Sequence, residues 1–590
     1  MLRTMPDAPL NIAAYLPLMA QRLPDKRAIV CPCGRDAAGH VRYSHLTFLQ
    51  LDHETDRLAY GLEAAGLRRG MRTILMVRPS LDFFSLTFAL YKIGAVPVLI
   101  DPGMGRQHMV RCLASVEAEA FIGIPLAHLL RRLNPSAFRS IKTAIMVGHR
   151  AWTWSLGGHA ISDIRTDPWR PYDPVETSAD DPAAIIFTTG STGPPKAVLY
   201  RHAQFDAQVR ILRDHYKIQP DEIDLPTFPL FALFDPALGM TAVIPDMDPT
   251  RPADVDPTKI VEAIHDHGVT HMFGSPALLN RVARYGEMHE VTLPSLRRVI
   301  SAGAPVPAEL LDRFTAMLPE KTQVYTPYGA TEALPIASIG SDEVLRETRQ
   351  ETARGGGTCV GRPVPESRVK IIRISDEALG FARDERMRTF TLANELPVAP
   401  QPAGSPVAPN QVIAPIEELP IGEVGEIMVS GPMVTREYLN DDRSNALHKV
   451  HDADGTIWHR MGDVGRFDEQ GRLWFFGRKA HRVMTETGTL FTEPVEAIFN
   501  QHPAVFRSAL VGVGQRPNQT PIVCVELDED AGICAELEKE LTALAKANPI
   551  THRIISFLRH PKFPVDIRHN SKIFREKLAV WAGERMANSK

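Results

Sequence analysis

The sequence has few cysteines and no excess of charge of one sign. Its six cysteines are scattered among 590 residues, and no second Cys or His pair follows Cys31-Pro-Cys33 at the spacing of a zinc site. This favours reduced cytoplasmic thiols over a metal half-site. The net charge of −4 at pH 7 lacks the basic excess that is typical of nucleic-acid-binding proteins. We therefore expect no nucleic-acid partner.

The sequence also lacks a long uninterrupted apolar run. Its most apolar segment, Leu81–Ile100, is broken by Lys92, Gly94 and Pro97, which favours a buried helix followed by a strand over a membrane span. The first ten residues show no basic region followed by an apolar core, so they do not read as a signal peptide. We expect a cytoplasmic protein without a membrane span.

At 590 residues the chain is too long for one compact core, so two or more domains are expected. Strand-like and helix-period segments alternate through the first ~370 residues, which predicts a layered α/β architecture. The spacing of apolar residues predicts an amphipathic helix over Leu46–Gly66. The candidate central strands are Thr73–Val77, Val96–Ile100, Ala144–Val147, Ala184–Phe187 and Arg298–Ile300.

Residues 375–420 differ in composition from the rest of the chain. They are charged at first and then rich in proline, which predicts a loop or solvated insertion, with a functional lid as the alternative. Strands are predicted after it at Gly425–Ser430 and Gly471–Phe476. A small C-terminal domain is then expected from about Lys479 to the end, with two strands and one helix at Ala509–Val513, Pro521–Val525 and Ile533–Lys546.

The segment Phe187–Ala197 combines glycines, hydroxyls and one lysine directly after an apolar strand-like run. Glycine lets the backbone approach a ligand closely, so that its N–H groups can line a phosphate. It is not a Walker A loop, because the Gly-x-x-x-x-Gly-Lys-Ser/Thr pattern is absent. The segment predicts a polyphosphate site, and a polar surface turn is the alternative. The candidate ligands are Thr188, Thr189, Gly190, Ser191, Thr192, Gly193 and Lys196.

Four further segments carry residue types that suit a nucleotide site. They are Ser301–Pro305, Tyr328–Glu332, Trp458–Asp463 with Gly477-Arg478, and Asn570–Arg575. Taken singly, each also fits a structural role: a tight turn, a surface charge, or a solvated lysine near the C-terminus.

Together with the glycine-rich loop, these segments resemble, in order, the motifs of the adenylate-forming enzymes. That superfamily includes acyl-CoA synthetases, luciferases and peptide-synthetase adenylation domains. The resemblance covers the chain from about Ile12 to Leu578. It implies an α/β fold with a large multi-subdomain N-terminal α/β domain at 1–478 and a small, mobile C-terminal α+β domain at 479–590.

The resemblance also implies what each site residue does. Tyr328, next to Gly329 and Ala330, would stack on adenine, Thr331 would contact phosphate, and Glu332 would bind Mg²⁺, which prefers hard oxygen ligands. Asp463 would accept hydrogen bonds from the ribose hydroxyls, and Arg478 would reach the ribose or a phosphate. Lys572 would bridge the attacking carboxylate and the α-phosphate. The turn against adenine would consist of Ser301, Ala302, Gly303, Ala304 and Pro305.

The implied first half-reaction joins a carboxylate and ATP to give acyl-AMP and pyrophosphate. Several departures from the superfamily pattern bear on the second half-reaction. The basic residue expected two positions after Gly488 is Leu490, the glycine before Lys572 is Ser571, and a histidine common in acyl-CoA ligases is Ala232. Near Ala232, the side chains Phe231, Leu233, Phe234 and Met240 fit either a widened acyl channel or an ordinary core.

The regions Thr188–Asp248 and Thr485–Ser508 resemble the β-lactone synthetases of bacterial long-chain olefin biosynthesis. That resemblance implies a long-chain 2-alkyl-3-hydroxy acid as substrate, whose own 3-hydroxyl closes the ring and expels AMP. It also implies a thiolase, hydrolase or reductase of the same pathway as partner. The alternatives are a long- or medium-chain fatty acyl-CoA ligase and a non-catalytic nucleotide-binding protein. The hinge between the domains is expected at Lys479, Ala480 or His481.

Overall fold

The computed structural model describes residues 11–188, 195–380, 414–528, 536–566 and 572–588. Several predicted features therefore lie outside the described residues: the first ten residues, Thr189–Gly193 of the glycine-rich loop, most of the 375–420 insertion, and Ser571. Among the described residues, no helix is both long enough and apolar enough to cross a membrane.

The larger sheet has fourteen strands in the described part of the chain. Its central strands, from Thr241–Val243 to Gln323–Ala330, pair in parallel, and the strands beyond Gln323–Ala330 pair antiparallel. The order is Arg368–Ile372, Gly425–Ser430, Ile457–Phe467, Leu473–Arg478, Thr358–Pro363, Ala333–Gly340, Gln323–Ala330, Arg298–Ile300, His271–Phe273, Ile223–Pro226, Thr241–Val243, Arg27–Arg35 and Val41–Thr47, with Lys449–His451 beside Ile457–Phe467.

A second sheet has seven strands in the described residues. All its neighbours pair in parallel except the last two, Pro182–Phe187 and Ala197–Arg201, which form an antiparallel pair around the glycine-rich loop. The order is His159–Ala160, Thr143–Met146, Ala120–Gly123, Arg72–Met76, Val96–Leu99, Pro182–Phe187 and Ala197–Arg201.

Helices cover these sheets, as the alternation of elements predicts for parallel strands. The helices before residue 300 are Tyr15–Arg22, Phe48–Ala64, Leu81–Lys92, Arg106–Ser115, Pro125–Leu133, Trp152–Leu156, Ile161–Ile164, His202–Tyr216, Asp235–Leu238, Pro257–His267 and Pro276–His289. The later ones are Ala308–Thr315, Ser341–Glu343, Arg349–Ala353, Asp442–His448, Thr492–Phe499, Leu537–Ala547 and Arg575–Asn588. Short 3₁₀ turns include Phe231–Leu233 and Lys479–His481.

The C-terminal residues form a small sheet of their own. The strands Val505–Val513 and Thr520–Leu527 pair antiparallel, and Phe557–Arg559 lies parallel to the second. A hairpin, Val483–Thr485 with Gly488–Leu490, precedes them. These strands and the helices around them have their own apolar clusters, as a small α+β unit requires.

Most of the predicted elements are confirmed within two or three residues. The five candidate strands occur, and the predicted helix runs over Phe48–Ala64. The predicted C-terminal helix is described over Leu537–Ala547. The loop or insertion at 375–420 stays a prediction, and its described ends pair as short parallel strands, Leu379–Gly380 with Ala414–Pro415. Backbone pairing between residues so distant in sequence leaves no periodic signal.

The apolar segment after residue 80 is a buried helix and a strand, as predicted. The helix Leu81–Lys92 is followed by the strand Val96–Leu99. Lys92 is fully buried, and its Nζ donates a 2.6 Å hydrogen bond to Oδ1 of Asp52 and another to Asp56. A buried ammonium needs such partners, because an unpaired charge in the interior is very unfavourable.

Candidate active site

One cavity of about 2,620 Å³ is lined by every predicted site residue that the structure describes. It lies beyond the ends of the parallel strands of both sheets. Ile100 and Ile124 directly follow strands of the smaller sheet, and Thr227 and Ser301 follow strands of the larger one. Open α/β sheets commonly bind ligands at this edge. The predicted residues that line it are Thr188, Lys196, Ser301, Ala302, Gly303, Ala304, Pro305, Tyr328, Gly329, Ala330, Thr331, Glu332, Asp463, Arg478 and Lys572.

The two described ends of the glycine-rich loop are joined by hydrogen bonds. The backbone N–H of Thr188 donates to the carbonyl of Lys196 at 3.0 Å, and the N–H of Lys196 donates to Oγ1 of Thr188 at 3.0 Å. The loop therefore begins and ends at a fixed point of the antiparallel pair. Burial lowers the pKa of Lys196, and the nearby carboxylates of Glu332 and Asp441 oppose that shift.

Tyr438 connects Lys196 to Glu332. The Nζ of Lys196 lies 4.7 Å from the centre of the Tyr438 ring, a cation–π distance. The Tyr438 hydroxyl donates a 2.7 Å hydrogen bond to Oε1 of Glu332, in buried surroundings. Burial and the Glu332 carboxylate raise the pKa of Tyr438, so the hydroxyl remains a donor. Glu332 is thus held at one oxygen while its side chain lines the cavity.

A second lysine, Lys449, supports the same group from the protein interior. Its Nζ lies 5.3 Å from the centre of the Tyr438 ring and donates to the carbonyl and Oγ1 of Thr435 at 2.6 and 3.1 Å. Thr435 in turn donates its N–H and hydroxyl to the carbonyl of Glu332, at 2.8 and 3.0 Å. Burial lowers the pKa of Lys449 to about 7. These hydrogen bonds therefore hold both the carboxylate and the backbone carbonyl of Glu332.

Asp463 is bonded through both of its carboxylate oxygens. Oδ2 accepts from the Tyr328 hydroxyl at 2.7 Å, and Oδ1 accepts from Nη1 of Arg478 at 2.7 Å. Asp463 and Arg478 face each other across the antiparallel strands Ile457–Phe467 and Leu473–Arg478, so the sheet register brings the pair together. Burial and Asp463 raise the pKa of Tyr328, and Asp463 raises that of Arg478. A carboxylate oxygen has two lone pairs, so Asp463 can still accept further hydrogen bonds.

The small-residue turn and the motif at Tyr328 bring the backbone close to the cavity. Gly303 has φ +102°, in the region that favours glycine, and the Ser301 hydroxyl is buried with no hydrogen-bond partner among the described residues. At Gly329 an added Cβ would lie 2.5 Å from the Ala333 carbonyl oxygen. A side chain at Gly329 would therefore push apart the strand that carries Tyr328 and the next strand, which are joined by the turn that carries Glu332.

Lys572 reaches the cavity from the C-terminal part of the chain. Its N–H donates to Oδ1 of Asp566 at 3.0 Å, and its carbonyl accepts from the Asp566 N–H at 3.0 Å. These bonds fix the backbone of Lys572 beside the described end of the preceding segment. The structure therefore brings Lys572 together with Thr188, Glu332 and Asp463 around one space.

Glu493 lies beside Asp463 in the same cavity wall. Its Oε2 accepts a 2.9 Å hydrogen bond from Oγ1 of Thr358, and the neighbouring Glu496 pairs with Arg575 at 2.6 and 2.8 Å. Burial and the nearby negative charges of Glu496 and Asp463 raise the pKa of Glu493 to about 7. The C-terminal region thus contributes to the cavity wall a carboxyl whose pKa is raised and which contacts Thr358.

The side chains on either side of Ala480 bind different parts of the molecule. Lys479 points back toward the larger sheet, where its Nζ lies 3.0 Å from both carboxylate oxygens of Glu426. His481 Nε2 lies 3.2 Å from Oε1 of Glu576, on the C-terminal helix Arg575–Asn588. The residue before Ala480 therefore contacts the larger sheet, and the residue after it contacts the C-terminal helix.

The structure separates the two interpretations of the apolar segment near Ala232. Phe231, Leu233 and Phe234 line the cavity, whereas Ala232 and Met240 are fully buried in the core and do not line it. Phe231 packs edge-on against Phe273, with ring centres 4.5 Å apart. The wall of the cavity is aromatic here, and the histidine-to-alanine difference lies behind it.

The sequence reasoning missed Tyr438, Lys449 and Glu493. Tyr438 hydrogen-bonds Glu332 across 106 residues of sequence, and Thr358 meets Glu493 across 135. Tyr438 and Lys449 lie outside the motif segments, and Glu493 lies within Thr485–Ser508 but was not singled out. Tyr438 and Glu493 line the cavity and Lys449 lies behind Tyr438, and only the tertiary structure brings these segments together.

The sequence profile of the family described as AMP-binding enzyme matches residues 18–382. A protein of Xanthomonas campestris pv. campestris named olefin beta-lactone synthetase is 48% identical over 582 residues, which cover 97% of this chain and 98% of that protein. A protein of the same name from Stenotrophomonas maltophilia is 46% identical over 586 residues, 98% of each. The solved structure of the amide bond synthetase McbA from Marinactinospora thermotolerans has a TM-score of 0.72 at 23% identity, covering 97% of this chain and 99% of McbA. This last similarity supports the fold.

Proposed function

Because the chain belongs to the family of AMP-binding enzymes, we propose that it activates a long-chain 2-alkyl-3-hydroxy acid with ATP and closes it to a β-lactone. The observation that carries the proposal is identity of 48% and 46%, over nearly the whole chain, to two proteins named olefin beta-lactone synthetase. The gathering of two lysines, a carboxylate and an Asp–Arg pair at the predicted positions around one cavity supports the adenylation step.

In the first step, a carboxylate oxygen of the acid attacks the α-phosphorus of ATP, and the bond to pyrophosphate breaks. Lys196 offers positive charge to the phosphates. Lys572 offers charge where the carboxylate meets the α-phosphate, and such preorganised charge stabilises the transition state. Asp463 and Arg478 would hold the ribose, and Tyr328 with the turn at Ser301 would border adenine. The acyl-AMP and pyrophosphate are the products.

Glu332 has the chemistry to hold Mg²⁺. Its carboxylate is a hard oxygen donor, the bond from Tyr438 is made to Oε1, and Glu332 lines the cavity. Mg²⁺ is commonly bound by one or two carboxylates together with substrate phosphates, so a single carboxylate suits an ion shared with ATP. When bound, Mg²⁺ would neutralise phosphate charge.

In the second step, the 3-hydroxyl oxygen of the same molecule attacks the acyl carbon. The bond to AMP breaks, the hydroxyl loses its proton, and a four-membered ring closes. The nucleophile is tethered, so proximity replaces a second substrate. Leu490, where relatives that form thioesters usually carry a basic residue, packs against the apolar cluster of the C-terminal unit. That arrangement favours ring closure over CoA transfer.

We further propose that residues 479–590 form a C-terminal domain that turns about Ala480 between the two steps. The opposite attachments of Lys479 and His481 support this position for the hinge. Two wider expectations also remain proposals: a cytoplasmic location, and other olefin-pathway enzymes as partners.

The test is to supply ATP, Mg²⁺ and a synthetic long-chain 2-alkyl-3-hydroxy acid without CoA, and to identify the product by mass spectrometry. We expect the β-lactone and AMP in equal amounts. The acyl-CoA ligase alternative predicts AMP release only when CoA is present, with simple fatty acids as substrates. Absence of both lactone and AMP in the CoA-free reaction would overturn the proposal.

A further inference from the structure

The helix Pro125–Leu133 presents leucine along one face. Leu126, Leu129, Leu130 and Leu133 follow the i, i+3, i+4, i+7 spacing of a single helical stripe. Three of them are largely exposed: Leu126 at 67%, Leu129 at 44% and Leu133 at 64%. A contiguous apolar stripe on a surface commonly marks a binding site.

The opposite face already anchors this helix. Ala127 and His128 are buried, and Nε2 of His128 lies 2.9 Å from the carbonyl oxygen of Ile145. Nη2 of Arg131 donates to the carbonyl of Leu156 at 3.2 Å. The exposed leucines are therefore not needed to hold the helix on the sheet.

The leucine stripe is part of the active-site cavity. Leu126, Leu129, Leu130 and Leu133 line the same space as Lys196 and Glu332. The helix begins directly after the strand Ala120–Gly123, so the stripe starts at the strand ends where the cavity lies. We call these four leucines the aliphatic wall.

A second apolar wall lies on the larger sheet. Phe228, Phe231 and Phe273 line the cavity there, with ring centres 5.2 Å apart for Phe228–Phe231 and 4.5 Å apart for Phe231–Phe273. We call these three residues the aromatic wall. The two walls belong to different sheets, so the cavity borders two separate apolar surfaces.

We propose that the two walls bind the two alkyl chains of the substrate separately, one chain on each wall. The inference rests on the proposed function, because a 2-alkyl-3-hydroxy acid carries its chains on adjacent carbons. With the carboxylate fixed at the nucleotide, chains that leave neighbouring carbons diverge. The aliphatic wall is thus a subsite for a saturated hydrocarbon chain, and the bound substrate covers its exposed leucines.

The test varies the two chains independently. Burying one methylene changes binding by about threefold to fourfold, so chain length gives a measurable slope in kcat/KM. Adenylation is measured by exchange of labelled pyrophosphate into ATP, with 2-alkyl acids that lack the 3-hydroxyl as well as with the hydroxy acids. Adenylation of the acids without the 3-hydroxyl involves no ring closure, so these acids separate failure of this inference from failure of the lactone step.

Three variants are compared. Leu129→Asn with Leu133→Asn alters the aliphatic wall, and Phe228→Ala alters the aromatic wall. Leu49→Asn is the matched control, because Leu49 is 38% exposed and does not line the cavity. We expect the leucine variant to lose the length dependence for one chain, about tenfold at the longest chain, and the phenylalanine variant to lose it for the other. The control should keep both slopes.

Three outcomes would overturn the inference. The leucine variant could keep both slopes, or it could reduce both equally, which would mean one shared channel. It could also match the wild type with dissolved substrate and differ only when the acid is presented in anionic phospholipid vesicles. The last result would assign the leucine stripe to a lipid surface instead of to the substrate.

Discussion

The hydroxyl of Tyr438 donates a 2.7 Å hydrogen bond to Oε1 of Glu332, and the ring of Tyr438 lies within cation–π distance of two lysines, Lys196 and Lys449. Glu332 therefore has a fixed orientation before any ligand binds. Fixing a charged ligand-binding group in advance reduces the reorganisation needed at the moment of reaction.

We expect Tyr438→Phe to lower kcat/KM for adenylation about tenfold, because a hydrogen bond to a charged group is lost. The concentration of Mg²⁺ needed for half-maximal rate should also rise, since Glu332 is no longer held. Titration of the exchange rate with Mg²⁺ measures both effects. Tyr60→Phe is the control, because the Tyr60 hydroxyl bonds the carbonyl of Pro171 away from the cavity. An unchanged Mg²⁺ requirement in Tyr438→Phe would show that the bond does not position Glu332.

Lys572→Ala should reduce adenylation by at least about a hundredfold, the usual cost of removing one group that stabilises transition-state charge. Pyrophosphate exchange reports this step directly. Lys577→Ala serves as the control, because Lys577 lies on the following helix with its Nζ 4.7 Å from the centre of the Phe574 ring. Equal rates for the two variants would remove Lys572 from the proposed mechanism.

Glu493 should make stability depend on pH. Its pKa is raised to about 7 from an ordinary value near 4.5, so the folded protein binds the proton more tightly than the unfolded chain. The stabilisation is complete below the unfolded pKa and is lost as pH rises through about 7. Glu493→Gln, which is always neutral, should match the wild type near pH 5 and melt roughly 2–4 °C higher near pH 8.

Melting curves from pH 5 to 8 measure this difference. Glu486→Gln is the matched control, because Glu486 is an exposed glutamate in the turn of the nearby hairpin. A constant offset between Glu493→Gln and the wild type across this range would mean that Glu493 does not titrate there.

Ala480→Pro should slow one of the two steps by restricting the proposed hinge. Ala480 lies in a 3₁₀ turn, whose φ is compatible with proline, so the described conformation should remain accessible. In that conformation Lys572 lines the cavity with the nucleotide-site residues. Adenylation should therefore persist while conversion of acyl-AMP to lactone slows about tenfold or more, in line with domain motions that limit turnover.

Single-turnover mixing of enzyme, ATP and acid resolves the two steps. Ala480→Gly changes the same residue without fixing φ, so it should leave conversion of acyl-AMP near the wild-type rate. If Ala480→Pro performs both steps at the wild-type rate, rotation about this residue is not required.

The elements of the fold follow closely from local sequence. The apolar run before residue 188 is a strand because four to six apolar residues bounded by turn signals suit a buried parallel strand. The helix Phe48–Ala64 follows its apolar period and begins at Thr47 with a capping box formed by Gln50. Such features depend on neighbours a few positions away, so the sequence alone reveals them.

The predicted site residues followed from ordered motifs, and the structure brings all those it describes to one cavity. The hydrogen bonds of Asp463 with Tyr328 and Arg478 did not follow from the motifs. Tyr328 lies 135 residues before Asp463, on a strand that is not its neighbour in the sheet, so only the tertiary structure makes them hydrogen-bond partners. The order of the motifs identified the site residues but not the contacts between them.

By itself, the sequence determined the α/β class, the order of the phosphate, adenine, ribose and lysine segments, and the chemistry that those residue types can perform. Tertiary structure alone decided that Tyr438 and Lys449 support Glu332, that Glu493 lies half-buried near Asp463, and that leucines of one helix line the cavity. The physical reason is the separation along the sequence of the residues that interact. Secondary structure depends on periodicity and caps within a few residues, whereas a hydrogen bond across 106 residues exists only after segments distant in sequence have packed together.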